Sequence, residues 1–307
     1  MPDILDDLRA DLDAAFARAE RKRARRGWTF GAATAALAST AVAVVLLAGG
    51  TTPPATAAEV LRAVAGVAQD TPAPVPRDDQ YYYVRSRTTN LSMFAGVDPK
   101  HEHAVTLVEA DREIWQSLKR PGQMTVKVIG KRPLTPADAG RRQGPDVAVP
   151  GGGRVGKQHH YLLGTERLSR AELLAYPTDP QVVYDRIRAH VGSGGDSREG
   201  QVFDAISSAL RERPAPPALR AALYGALALT PGVTLAGTVT DRAGRTGTAV
   251  AFTEVGVRTE LIFDPRTSEL LGERRVLVEP ARSGIDAPVG TVVGDTAYLE
   301  RAVVDEL

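Results

Sequence analysis

Residues 233–278 read VTLAGTVTDRAGRTGTAVAFTEVGVRTELIFDPRTSELLGERRVLV, and this stretch decides the fold class. Val233 to Thr240 and Gly247 to Phe252 flank Asp241-Arg242-Ala243-Gly244. Arg258 to Phe263 and Leu270 to Val278 flank Asp264-Pro265-Arg266-Thr267. The runs are rich in β-branched residues, and the connections hold the Asp, Pro and Gly that turns require. Two successive hairpins predict a largely antiparallel sheet. Val289 to Val293 and Tyr298 to Val304 extend it as two further strands.

The segment before this stretch has helical periodicity. Ser169 stands three residues ahead of Glu172, the spacing of a capping box, and predicts a helix over Arg170 to Ala175. Thr178 or Asp179 caps Gln181 to Val191, with Pro180 in the first turn. Val202 to Arg211 and Ala218 to Leu229 follow, separated by prolines. Further upstream, Tyr81 to Thr88 reads as a strand. Ala104 to Val108 and Glu113 to Leu118 read as strands joined by a turn at Glu109-Ala110-Asp111-Arg112. Met124 to Ile129 reads as another strand, and Lys131 to Gly156 as a long Pro/Gly-rich loop. Strands, then helices, then strands predict an α+β domain with a curved, largely antiparallel sheet and a central helical block. That domain spans 79–307. Ahead of it, 49–78 holds a short helix (Ala58 to Gln69) and a Pro-rich linker.

Trp28 to Ala48 is a run of 21 residues without a charge. At about 1.5 Å per residue it matches a hydrocarbon core of about 30 Å. Arg21, Lys22, Arg23, Arg25 and Arg26 precede it immediately, and the next basic residue is Arg62. The positive-inside rule therefore expects residues 1–27 in the cytoplasm, a transmembrane helix at 28–48 and the remainder outside, with Trp28 at the interface. A cleavable signal peptide is the alternative, since Ala55-Thr56-Ala57 has the small residues of a cleavage site. In the arm, Leu5, Leu8, Leu12 and Phe16 form one helical stripe, a candidate docking surface for a cytoplasmic regulatory protein.

Composition removes several classes. There is no cysteine, so disulfides, thiolate zinc sites, thiol nucleophiles and a lipoprotein anchor are excluded. A net charge of +1 disfavours nucleic acid as a partner. Gly151-Gly152-Gly153-Arg154-Val155-Gly156-Lys157 imitates a phosphate loop, but Gln158 stands where the magnesium-binding hydroxyl belongs. His101, His103, His159, His160 and His190 lack a catalytic metal spacing, and there is no GxSxG elbow. No cofactor and no catalytic residue is expected. Tyr81, Tyr83 and Trp115 are candidate ligand-facing residues on the first strands.

Gln80-Tyr81-Tyr82-Tyr83-Val84-Arg85-Ser86, Arg112-Glu113-Ile114-Trp115, Pro177-Thr178-Asp179-Pro180, 216–232 and Thr259 to Pro265 resemble a family of uncharacterised actinobacterial single-pass membrane proteins. Members are often encoded near extracytoplasmic-function sigma factors, which implies an envelope-linked regulatory role. The strand–turn–strand around Asp264-Pro265 also resembles LolA-type folds, which implies an apolar ligand held between a curved sheet and helices. The expectations are thus a membrane-anchored binding or sensing module, or a lipid or lipoprotein carrier. If the N-terminal segment is cleaved, a secreted envelope hydrolase using paired carboxylates is the third.

Overall fold

The computed structural model describes residues 56–73, 75–93, 105–139, 153–155, 160–192 and 197–307. The arm with Leu5, Leu8, Leu12 and Phe16, the basic cluster and the 28–48 span lie outside the described residues. Among the described residues, no helix is long and apolar enough to cross a membrane.

The chain opens with α1 (Ala57–Asp70), then β1 (Tyr81–Met93), β2 (Val105–Gln116) and β3 (Gly122–Pro133). A short α2 (Pro136–Ala139) and three short strands follow, β4 (Gly153–Val155), β5 (Tyr161–Leu163) and β6 (Glu166–Leu168). The helical block is α3 (Arg170–Leu174), α4 (Pro180–Ala189), α5 (Arg198–Glu212) and α6 (Pro217–Leu229). β7 (Thr234–Thr240), β8 (Thr246–Glu254), β9 (Val257–Phe263) and β10 (Leu270–Leu277) come next, then α7 (Pro280–Ser283) and β11 (Val292–Val304). The fold is α+β, as the order of signals predicts.

Among the described residues, nine strands form one sheet in the order β4-β3-β2-β1-β11-β10-β9-β8-β7, and its two edges are not paired with each other. All the ladders are antiparallel. The sheet is two meanders, β1 to β4 and β7 to β11, zipped together where β1 meets β11. A bulge between Arg85 and Ser86 interrupts that seam. It leaves Leu299 without a partner and lets Tyr298 and Arg301 point to the same side.

The helices cover one face of both meanders. A single core joins Val60, Leu61 and Val64 of α1, Ile187 of α4, Phe203 of α5 and Tyr224 of α6 to the sheet. The sheet supplies Tyr82, Val84, Ile114, Val250, Leu261, Phe263 and Tyr298. Phe203 and Phe252 stack at 5.4 Å, and Tyr224 meets Phe263 edge-on at 5.8 Å. The Tyr224 hydroxyl donates to the carbonyl of Ser268 (2.7 Å), tying α6 to the β9–β10 turn. Ion pairs reinforce the contact: Arg112 of β2 holds Glu212 at the end of α5, and Arg211 reaches Glu273 of β10 at 3.1 Å. Burial pushes the Glu212 carboxyl up, but the surrounding arginines, Arg112 foremost, outweigh it and hold it below the usual range.

Local signals place the helices. Thr56–Glu59 and Ser169–Glu172 are both complete capping boxes, and Asp179 accepts from the amides of Gln181 and Val182. The helix expected in 49–78 differs in role from a linker element, because Val60 and Leu61 are fully buried in the main core.

Three expectations about strands are corrected. Residues 109–112 are not a turn but the middle of β2, since Ala110 is buried on one side while Glu109 and Asp111 pair with arginines on the other. The stretch 131–156 is not one loop, because β3 continues to Pro133 and α2 and β4 follow. The two strands expected in 289–304 are one, as Gly294 and Asp295 stay in register with β1 and β10.

Gly225 of α6 lets Pro180 of α4 sit on the helix backbone; a Cβ there would lie 2.7 Å from the proline ring. Gly225→Ala is expected to lower unfolding stability by about 1–3 kcal/mol, read by urea denaturation, despite the better helix propensity of alanine. An unchanged or raised midpoint would show that α4 does not pack on α6 this way.

Candidate functional site

The face of the sheet turned away from the helices is divided. Towards β7 it carries a second apolar cluster of Val239, Ala249, Ile262 and Leu271. Towards β3 it is open and polar, and side-chain alternation decides what it displays. Residues 82 and 84 of β1 enter the core, so 83, 85 and 87 face outward. On β2, 114 enters the core, so 111, 113 and 115 face outward.

The registers align these residues into three rows. Tyr83 pairs with Trp115 and Trp115 with Gln123; Arg85 pairs with Glu113 and Glu113 with Thr125; Arg87 pairs with Asp111 and Asp111 with Lys127. Neighbours across strands lie about 4.8 Å apart, and successive rows about 6.8 Å apart. An open cleft of ≈ 250 Å³ lies among Arg85, Arg87, Asp111, Glu113, Thr125, Lys127 and Leu299. Leu299 reaches it because of the β1–β11 bulge.

The Tyr83 and Trp115 rings are 5.0 Å apart and tilted by 39°. The Tyr83 hydroxyl donates to Glu113 Oε1 (2.7 Å), and the Thr125 hydroxyl donates to Oε2 (3.1 Å). Arg87 grips Asp111 with two bonds, of 2.7 and 3.3 Å. Arg85 lies 3.4 Å from Glu300. Burial, reinforced by the hydrogen bond to Glu113, pushes the Tyr83 phenol up to about 12. The hydrogen bond from Arg87 holds the Asp111 carboxyl below its usual range against a smaller effect of burial. Tyr83 is therefore a protonated donor at neutral pH and Asp111 a fixed anion. Neither is poised to transfer a proton, whereas a glycosidase acid requires a raised carboxyl pKa.

Each end of this open region is capped. At one end Tyr81 is only 2 % exposed, with Arg120 over its ring and its hydroxyl donating to the carbonyl of Pro121. Of the three ligand-facing candidates, Tyr83 and Trp115 are brought together on the open surface and Tyr81 is covered. At the other end Arg242, in the β7–β8 turn, pairs with Glu109 of β2 at 2.6 Å and Asp295 of β11 at 3.4 Å. In a flat sheet five strand spacings, roughly 24 Å, separate β2 from β8. That exceeds the reach of one arginine, so the sheet coils and folds its β7–β8 turn over this face. Asp241 makes the turn rigid by accepting from the amides of Ala243 and Arg245 and from the Arg245 side chain. Nearby, the fully buried Glu260 is clamped by Arg258 and Arg274, both at 2.7 Å.

Residues 85, 87, 111, 113, 125 and 127 have no motif in the sequence. The signal that finds them is alternation: Asp111, Glu113 and Trp115 share one side, which reading 109–112 as a turn conceals. His101, His103, His159 and most of 151–157 lie outside the described residues; His190 donates from Nδ1 to the Arg186 carbonyl (2.8 Å). Among the described residues, no three of His, Asp and Glu converge as a metal site.

No protein-family description and no curated protein matches the chain.

Replacing Arg242 by Ala leaves Glu109 and Asp295 without their shared partner under the turn. A loss of about 1–3 kcal/mol is expected in urea unfolding, and a smaller loss in an Asp295→Asn background. Equal losses in both backgrounds would mean that the arginine and Asp295 are not coupled.

Proposed function

We propose that this chain is an extracytoplasmic binding or sensing module, tethered to the membrane by the helix at 28–48. The binding surface is the open sheet face of β1, β2 and β3. The observation that carries this reading is the rows of aromatic, hydrogen-bonding and charged side chains around Tyr83, Trp115 and Glu113, held rigidly by ladders on both sides. They form a surface suited to recognition. The topology rests on Arg21, Lys22, Arg23, Arg25 and Arg26 ahead of an uncharged 21-residue run. The resemblance to actinobacterial envelope proteins supports a link to sigma-factor regulation, through a cytoplasmic partner on Leu5, Leu8, Leu12 and Phe16.

A LolA-like carrier is the second reading, favoured by the resemblance around Asp264-Pro265 and by helices lying on one side of an antiparallel sheet. It needs an apolar cavity between helices and sheet. That space holds Leu61, Phe203, Leu223, Tyr224 and Leu261, all about 1 % exposed or less. The polar open face therefore makes the stronger case for the first reading.

Protease accessibility tests the topology. In intact cells bearing the full chain with a tag at each end, external protease is expected to remove the C-terminal tag and spare the N-terminal one. Changing the five basic residues to Glu is expected to lose this orientation. A mature chain starting at Ala58, or a protected C-terminal tag, would contradict the tethered module.

A further inference from the structure

We propose that the open cleft beside Tyr83 and Trp115 is a subsite for one pyranose ring of an envelope glycan, an inference that rests on the binding-module reading above. A sugar ring offers an apolar C–H face and a rim of hydroxyls, each of which donates and accepts at once. Its site needs an aromatic plate, an open acceptor and an open donor, and the three rows supply one each: the Tyr83–Trp115 plate borders the cleft, Glu113 lies in the middle row and Lys127 in the far one.

The half-exposed Tyr83–Trp115 pair is the plate. Glu113 is the acceptor. Its two oxygens take one hydroxyl each from Tyr83 and Thr125, and it has no ion-pair partner among the described residues. A carboxylate has about four acceptor sites, so about two are left for ligand hydroxyls. Lys127 is the donor: exposed, with three N–H groups and no ion pair among the described residues. The cleft volume of ≈ 250 Å³ falls just below the roughly 300 Å³ at which drug-sized sites begin, a fit for one ring with the rest of the chain running over the surface.

Other ligand classes fit less well. A peptide added as a strand would pair along the edge of β3 beyond Met124, where its pairing with β4 ends among the described residues, and not over the cleft, whose β1 and β2 are paired on both sides. A polyanion such as nucleic acid needs net positive charge. Here Arg87 is neutralised by Asp111 and Arg85 is set against Glu300. An apolar ligand would meet rows of charge.

The chain has two tryptophans, so the full-length protein carrying Trp28→Phe leaves Trp115 as the reporter. In micelles of a detergent without a sugar headgroup, it is titrated with chitohexaose, cellohexaose and a galacturonic acid hexamer. At least one is expected to change Trp115 emission saturably, with Glu113→Gln and Lys127→Met each weakening binding at least tenfold at unchanged circular dichroism and melting temperature. No saturable change with any of them, or saturation unaffected by both substitutions, overturns the proposal. A parallel depletion of envelope extract separates this failure from that of the underlying reading. Material retained by the wild type and lost with Glu113→Gln, yet free of carbohydrate, removes the glycan and keeps the module. Retention indifferent to Glu113→Gln, Lys127→Met and Trp115→Ala removes both.

Discussion

The pairing of β1 with β11 is the contact on which the rest of the structure depends. Each meander alone is a small antiparallel sheet with one apolar side, and neither has its own complete cover. Zipping the first long strand to the last places both apolar sides in one surface, which α1, α4, α5 and α6 bury as one core. The seam joins residues more than 200 positions apart, so its loop-closure entropy is recovered only when helices and sheet close together. The single bulge in the seam does two things. It turns Tyr298 and Arg301 towards the helices, and it leaves Leu299 on the open side beside the cleft.

One-sided burial then dictates which part of the sheet is open. Residues facing the helices are committed to packing; charges there are satisfied by ion pairs, as with Arg112 and Glu212, or by backbone carbonyls, as with Arg301. On the opposite face the coiling of the sheet, fastened by Arg242 to Glu109 and Asp295, closes one end. Arg120 and Tyr81 close the other. What stays open between them is a rigid patch, because its β1 and β2 backbones are bonded on both sides and its side chains brace one another. Tyr83 and Thr125 orient Glu113, and Asp111 orients Arg87. Such preorganisation suits recognition, since little side-chain entropy is left to lose when a ligand arrives.

Much of the fold is legible in the sequence because its determinants are local. The turns at 241–244 and 264–267, the Ser169–Glu172 box and the Asp179-Pro180 start each specify their geometry within four residues. Sequence and structure part where local polarity and tertiary context disagree. Glu109 to Arg112 and Gly294-Asp295 look like turn chemistry, yet they sit mid-strand because arginines distant in sequence, Arg87 and Arg242, satisfy their carboxylates. The site was only half legible for the same reason. Tyr83 and Trp115 stand out as aromatics, whereas Glu113, Thr125 and Lys127 become a group only through the β1–β2–β3 register.

The central claim is that one sheet face is buried by helices while the β1–β3 part of the other is free. The absence of native cysteine allows a direct measurement, because each introduced thiol reports alone. Maleimide labelling rates of the full chain can be compared for Arg85→Cys and Lys127→Cys on one side and Ser86→Cys and Ser207→Cys on the other. The first two are expected to label rapidly and the last two, at 1 % exposure or less, only after denaturation. Protection of Arg85→Cys and Lys127→Cys comparable to that of Ser86→Cys would contradict it.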